Sequence, residues 1–288
     1  LKIKELIKAA INKGIIPSRA LVPILSFVRH IKPYGFAFTV HLADHCNLNC
    51  KCCDNFSPLA DEVFLDFEQY EKDCGRLAFL TNAKVDRICL LGGEPLLNPQ
   101  VMQIVETTRK HFPKTALSLA TNGILLPKQP EKFWECCRKN KIKIIITKYP
   151  IKLDLEKTVE SARNYGVKIE YWGGDIKTSY HFVLDLEGKH NSKKSFKLCY
   201  QSNVCIVFSK GRFYTCPTIP FVRYFNRHFK QNLEVSDADS IDIYKVKSIK
   251  EIKKFLSKPA PFCRYCAVEK IDFAIPWGVS KKDISEWT

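Results

Sequence analysis

The chain has 288 residues, 45% hydrophobic and 26% charged, a balance that excludes a disordered or fibrous protein and suits one large domain with a small appendage. No run of 18 apolar residues occurs, which excludes a spanning helix, and Lys2, Lys4, Lys8 and Lys13 break the first apolar stretch, so no secretory signal is read and a cytoplasmic location is expected. The net charge of +16 rests on 35 Lys and only 11 Arg; sequence-reading nucleic-acid binders rely on Arg forks, so no nucleic-acid partner is expected.

Residues 1–34 read as a basic amphipathic helix and a linker punctuated by Pro17, Pro23 and Pro33. Packing under the main domain is the expected role, with peripheral membrane contact as the alternative. From residue 35 strands and helices alternate. Residues 36–43 form the first predicted strand, and Asp66 with Gln69 makes a capping box for a helix with Phe67, Tyr70, Cys74 and Leu77 on one face. Residues 87–91 are the second strand, and Asn98 caps a helix with Pro99 at its first position. Residues 116–120 are the third, followed by a helix opening near Pro130. Residues 142–146 are the fourth, followed by a helix from Asp154 to Gly166. Residues 167–171 and 182–186 supply the fifth and sixth. This alternation predicts an α/β fold over residues 35–187 with a parallel sheet, open or partly closed into a barrel, and ligands beyond the C-terminal strand ends. Residues 204–208 and 212–215 flank Ser209-Lys210-Gly211 as a hairpin, and residues 188–288 are expected to form a small cysteine-rich lobe.

Thirteen cysteines in a chain with no export signal are not a disulfide framework. Cys74, Cys89, Cys136 and Cys137 fall on helical or strand patterns and read as small buried residues. Cys46, Cys50 and Cys53, spaced C-x-x-x-C-x-x-C after the first strand, can wrap a short loop around one cuboidal iron–sulfur cluster and leave one corner without a protein ligand. A zinc site on the same three with His45 or Cys52 is the alternative. Gly92-Gly93-Glu94-Pro95 follows the second strand; its glycines permit close backbone approach to a ligand and Glu94 can accept from an ammonium group. Thr121-Asn122-Gly123 follows the third. Further on stand Cys199, Cys205 and Cys216, then Cys263-Arg264-Tyr265-Cys266, a set whose spacing fits zinc and iron–sulfur equally.

The three motifs at successive strand ends together resemble the radical S-adenosylmethionine (radical SAM) superfamily over residues 36–186. The resemblance implies a partial (β/α)6 barrel with a [4Fe-4S] cluster on Cys46, Cys50 and Cys53. It implies that SAM chelates the unique iron, with Gly92, Gly93, Glu94 and Pro95 at its methionyl end. Asn122 and Lys148, at the ends of strands three and four, become candidates for ribose and carboxylate contacts, Lys148 by position alone. Cys52 stands where the family usually has an aromatic residue, a departure on the adenine side. The later cysteines resemble the twitch form of the SPASM auxiliary domain, which implies a second [4Fe-4S] cluster on Cys199, Cys216, Cys263 and Cys266. Cys205 is then an alternative ligand or a hydrogen-atom donor.

The implied chemistry is reductive cleavage of SAM to methionine and a 5′-deoxyadenosyl radical, which abstracts hydrogen from a substrate at the barrel mouth. An electron donor such as flavodoxin or ferredoxin is implied as a partner. Residues 189–288 carry 19 basic and 9 acidic residues, which suits an anionic substrate. Only 34 residues precede the barrel, too few for the leader-binding domain of many peptide-modifying relatives. The expectation is therefore dehydrogenation or epimerisation of a small polyol, sugar or phosphate-linked sugar. A peptide maturase and a non-enzymatic iron–sulfur or zinc protein are the alternatives. His41, Tyr171, Trp172, Tyr180 and His181 are the candidate polar wall.

Overall fold

Alternating apolar residues build the main sheet from β1 (Ala37–His41), β2 (Arg87–Leu91), β3 (Ala116–Thr121), β4 (Lys143–Thr147) and β5 (Lys168–Trp172). The computed structural model describes residues 35–172, 178–202 and 204–288; the expected N-terminal helix lies outside these. On one face of the sheet Phe38, Val40, Ile88, Leu90, Leu117, Leu119, Ile144 and Ile146 are each at most 3% exposed. They share a core with Tyr70, Cys74 and Leu77 of α1 (Phe67–Thr81), Ile104 and Val105 of α2 (Val101–His111), and Phe133 of α3 (Glu131–Lys139). Each such side chain contributes about 1.5–3 kcal/mol. α4 (Leu155–Asn164) follows β4.

The five strands run parallel in the order β5-β4-β3-β2-β1. An order that follows the chain without reversal, joined by crossovers of one hand, curves into part of a barrel and has no switch point. Among the described residues the sheet stays open at both edges. The face opposite the helices carries small side chains in register, Thr39 beside Cys89 and Cys89 beside Ser118.

The local signals act much as expected. Asp66 accepts from the Gln69 N–H at 3.1 Å, but the Gln69 side chain turns to Asp73, so only half of the capping box forms. Asp154 accepts from the Lys157 N–H, and Gly166 takes φ 66° after α4. Asn98 Oδ1 accepts from the Gln100 N–H at 2.8 Å, the capping bond expected, although α2 itself begins at Val101. Its amide also donates to the Leu42 carbonyl at 2.7 Å, pinning the chain just beyond β1.

The expected sixth strand at 182–186 is corrected by the structure. The strand is β6 (Thr178–His181), which pairs antiparallel with β10 (Asp272–Pro276) outside the main sheet. Phe182, Val183 and Leu184 are all buried, so residues on both sides of the chain are enclosed. Their backbone bonds go to irregular segments: Leu184 N–H to the Trp287 carbonyl, Asp185 N–H to the Tyr265 carbonyl, and Ala267 N–H to the Val183 carbonyl. An apolar run with that enclosure reads like a strand without being one.

The predicted hairpin forms as β7 (Val207–Ser209) and β8 (Arg212–Tyr214), with Lys210 and Gly211 at φ 49° and 67° in the turn, the backbone a two-residue hairpin requires. β7 lies parallel to β1 and, with β8 and β9 (Ser240–Asp242), extends the main sheet to eight strands. The rings of Phe36, Phe38, Phe208 and Phe213 meet with centroids 4.6–5.7 Å apart, which fixes the hairpin on the β1 edge. α7 (Ile249–Leu256) joins the first core through Ile252 and Leu256. α5 (Ser192–Leu198) and α6 (Thr218–Phe229) build a second core with Phe56, Phe262 and Trp287. Among the described residues no helix is long and apolar enough to cross a membrane.

Candidate active site

Past β1 the chain leaves the sheet and coils tightly. Asn49, Cys52 and Phe56 take φ 53°, 58° and 53°, a left-handed conformation that L-residues adopt reluctantly. Cys46, Cys50 and Cys53 thereby come to line one cavity of about 240 Å³ at the C-terminal ends of the strands. The Leu48 N–H and the Asn122 amide point at Cys46 Sγ from 3.4 and 3.7 Å, and the Trp277 indole N–H donates to Cys50 Sγ at 3.3 Å. Burial pushes the Cys46 thiol up to about 11 and raises Cys50 and Cys53 as well. Metal binding here therefore displaces protons.

Among the described residues no three His, Cys, Asp or Glu side chains converge closely enough to hold a single metal ion. The zinc alternative with His45 also lacks its fourth ligand in place: the His45 ring packs against Phe64, centroids 5.1 Å apart, and His45 does not line the cavity. Thiols set around the wall of one cavity fit a cuboidal cluster, which takes one thiolate at each of three corners.

The two glycines after β2 serve a close approach within the protein. A Cβ on Gly92 would lie 2.4 Å from the Ala43 carbonyl oxygen, and one on Gly93 2.1 Å from that of His45. Gly93 and Glu94 donate their N–H groups to those same carbonyls at 2.8 and 3.0 Å, so this motif pins the entry to the cysteine loop while Gly92 and Gly93 line the cavity. Glu94 is fully buried. Oε1 accepts from the Leu96 N–H and the Thr121 hydroxyl, and Oε2 from the Asn122 N–H. Burial outweighs these bonds and lifts its carboxyl to about 7. Pro95 starts the short helical turn beneath it and is buried.

Asn122 bridges two motifs: its amide reaches both Cys46 and, at 2.8 Å, Asn47, while its Oδ1 accepts from the Ile124 N–H. Gly123 takes φ 84°, and a Cβ there would lie 3.1 Å from Ile146. Lys148 stands at the end of β4 as expected, but its ammonium sits 4.3 Å over the Tyr171 ring. The neighbours Thr147 and Tyr149 line the cavity instead. Strand alternation is the signal that separates the two sets, since 147 and 149 share a face that 148 does not.

Of the expected wall, Trp172 and Tyr180 line the cavity. His41 does not: it is buried against Phe221, ring centroids 4.4 Å apart, and desolvation lowers its pKa to about 3. His181 belongs to β6. Asp54, immediately after the third cysteine, also lines the cavity and accepts from the Tyr180 hydroxyl at 2.9 Å and from the Gln201 amide. Tyr149, Asp54 and Trp277 escaped the sequence reading.

The second cysteine set lies in the second core. Cys216, Cys263 and Cys266 are 9%, 8% and 5% exposed among Phe196, Ile219 and Phe262, and Cys199 packs against them from the end of α5. Burial, then the charges of Cys263, Cys216 and Cys199, raises Cys266 well above the ordinary thiol range. Burial, then Cys263 and Cys199, does the same for Cys216. The four cysteines thus belong to one core. Burial, then Asp54, raises the hydroxyls of Tyr180 and Tyr200, with Cys205 a lesser contributor.

Three thiols on the loop after β1 and the turns after β2 and β3 line one cavity at the strand ends, a site able to hold an iron–sulfur cluster with one corner left for another ligand. The sequence profile of the radical SAM superfamily matches residues 40–204, more than half of the chain, and the protein belongs to that superfamily. Membership makes it a radical SAM enzyme, with a [4Fe-4S] cluster and SAM as cofactors. Among characterised proteins it is similar to GTP 3′,8-cyclase of Rhizobium etli (strain CIAT 652), 33% identical over 113 residues, or 37% of this chain and 32% of that one. The Bradyrhizobium diazoefficiens GTP 3′,8-cyclase is 35% identical over 114 residues, covering 36% and 32%. The chain thus spans about a third of the length of these relatives. Among solved structures, native anSMEcpe with bound AdoMet shares the fold at a TM-score of 0.50 and 16% identity, over 80% of this chain and 82% of that one. BtrN in complex with AdoMet and 2-DOIA gives 0.48 and 16% over 81% and 93%.

Proposed function

We propose that this enzyme abstracts a hydrogen atom from a small polyol, sugar or phosphate-linked sugar, to dehydrogenate or epimerise it. The observation that carries the reading is the shared cavity: Cys46, Cys50 and Cys53 line it together with Asp54 and Tyr180, groups suited to holding hydroxyls. The cluster, when bound, supplies the electron that breaks the sulfonium bond of SAM and so generates the 5′-deoxyadenosyl radical. Cys46, Cys50 and Cys53 are its proposed ligands. Glu94, with one acceptor position left on Oε2, is the proposed partner of the methionyl ammonium beside Gly92, Gly93 and Pro95. Asn122 is proposed at the ribose, and Lys148, if it leaves Tyr171, at the carboxylate. Trp172 and Tyr149 supply the aromatic surface that Cys52 does not.

Residues 188–288 are the proposed auxiliary lobe of the twitch type, with a second [4Fe-4S] cluster on Cys199, Cys216, Cys263 and Cys266; its hairpin is shared with the sheet of the 35–187 barrel. Three buried thiols with the half-buried Cys199 packed against the same core suit a closed site. Cys205, beside Tyr180, is the proposed hydrogen-atom donor. A flavodoxin or ferredoxin is the proposed electron source.

The test is anaerobic reconstitution followed by incubation with SAM and a panel of deuterated polyols, sugars and nucleotide sugars. The reading expects about eight iron and eight sulfide per chain, falling to about four in Cys263→Ala/Cys266→Ala. It expects deuterium in 5′-deoxyadenosine with at least one sugar-class substrate. Deuterium transfer only from peptides would move the protein to the maturase class.

A further inference from the structure

The C-terminal segment reaches back across more than 200 residues to the cysteine loop. Lys51 donates its N–H to the Gly278 carbonyl and Ser280 donates to the Asn49 carbonyl, both at 2.8 Å, with Cys50 and Val279 paired between them. The strap is braced from behind. Glu286, 3% exposed, accepts from the Ser280 hydroxyl at 2.6 Å and from the Lys281 N–H at 2.7 Å. One residue on, Trp287 donates its indole N–H to the Cys53 carbonyl at 2.8 Å. Both ends of the C-x-x-C half of the loop are therefore held by the C-terminus.

Trp277 occupies the position from which this strap touches sulfur. Its indole N–H lies 3.3 Å from Cys50 Sγ, and its ring tilts against Tyr149 with centroids 5.8 Å apart. Tyr149 lines the same cavity as Cys50, and its hydroxyl, after the Trp277 indole, works against the rise that burial gives the Cys50 thiol. The thiol sulfur here stands for the thiolate that would bind iron. A donor aimed at a ligand sulfur draws charge from it, favours the more negative reduced cluster, and so raises its reduction potential.

We infer that Trp277 is a positioning residue that sets the reduction potential of the SAM-binding cluster through an N–H bond to Cys50, with the 277–280 strap holding the indole in place. The inference rests on the cluster assignment to Cys46, Cys50 and Cys53. Cys46 faces the Leu48 N–H at 3.4 Å and the Asn122 amide at 3.7 Å, both longer than the 3.3 Å indole contact on Cys50. Because the strap comes from the C-terminal lobe, that lobe acts directly on the electronics of the barrel cluster.

The test uses the reconstituted full chain and a redox titration followed by electron paramagnetic resonance, reading only the signal that changes when SAM is added. Trp277→Phe keeps the ring and removes the donor. The expected result is unchanged iron, sulfide and SAM affinity, with the ratio of reduced to oxidised cluster at a fixed potential lowered about tenfold, or about 59 mV for one electron. Tyr149→Phe should shift it in the same direction. If Trp277→Phe loses iron, Tyr149→Phe decides. An unchanged potential in an iron-replete variant overturns the inference alone. A wild-type chain with no SAM-sensitive signal overturns the cluster assignment and this inference with it.

Discussion

The two cysteine sets of this protein sit in opposite surroundings. Cys46, Cys50 and Cys53 lie on a coiled loop at the strand ends and face a cavity shared with glycines, an amide and a tyrosine. Cys199, Cys216, Cys263 and Cys266 are packed among phenylalanines in the second core. An open set of three leaves room for a ligand to complete the metal's coordination; a closed set of four in an apolar core does not. Under the proposed reading the first is the reacting centre, and the second suits holding a lobe together or passing an electron.

Replacing Cys46, Cys50 and Cys53 together by Ala should give the largest effect. Formation of 5′-deoxyadenosine is expected to fall to background while about four iron remain on the lobe. If all iron is lost, the two sets are not independent.

Gly93→Ala comes next. Its Cβ would meet the His45 carbonyl at 2.1 Å, and this contact is backbone against backbone, so the strand end must move. A loss of about 3 kcal/mol or more is expected in denaturant unfolding, together with a displaced cysteine loop. Unchanged stability would mean that the approach of β2 to the loop is not what orders it.

Glu94→Gln should weaken SAM binding by roughly ten- to a hundredfold, the worth of about 1.5–3 kcal/mol for a charged hydrogen bond, with both clusters retained. The same variant has a pH signature. The Glu94 carboxyl is raised by burial from 4.5 to about 7, so its contribution to stability is complete below about 4.5 and lost as pH rises through about 7. The size is on the order of 3 kcal/mol. His41, lowered to about 3, runs the other way: its contribution is present above 6.5 and lost as pH falls toward about 3. The difference between wild type and Glu94→Gln isolates the glutamate. That difference should change between pH 4.5 and 7 in cluster-free protein, and a constant difference would contradict the burial argument.

The smallest change is expected for Cys205→Ala. Iron content should hold, and solvent deuterium should vanish from the product if Cys205 returns a hydrogen atom to the substrate radical. Loss of about four iron would instead make Cys205 a ligand.

Most of the barrel was legible because its determinants are local. Period-two alternation located β1 to β5 to within a residue or two, and Asp66, Asp154 and Gly166 mark helix ends through bonds spanning a few residues. The motif positions followed from strand order, since a parallel sheet gathers its C-terminal ends at one edge. Two kinds of feature were hidden. The buried run 182–184 looked like a strand because enclosure by an irregular lobe and enclosure by a sheet leave the same apolar pattern. The contacts of Trp277 with Cys50 and of Tyr180 with Asp54 span 227 and 126 residues, and no periodicity links positions so far apart. Lys148 shows an intermediate case: it stands at the end of β4 as expected, with its ammonium over the Tyr171 ring.

The most direct test of the central claim is the fate of SAM on the anaerobically reduced, reconstituted chain. The account expects methionine and 5′-deoxyadenosine in equal amounts, dependent on Cys46, Cys50 and Cys53. A preparation that holds stoichiometric zinc without sulfide and leaves SAM intact would contradict it.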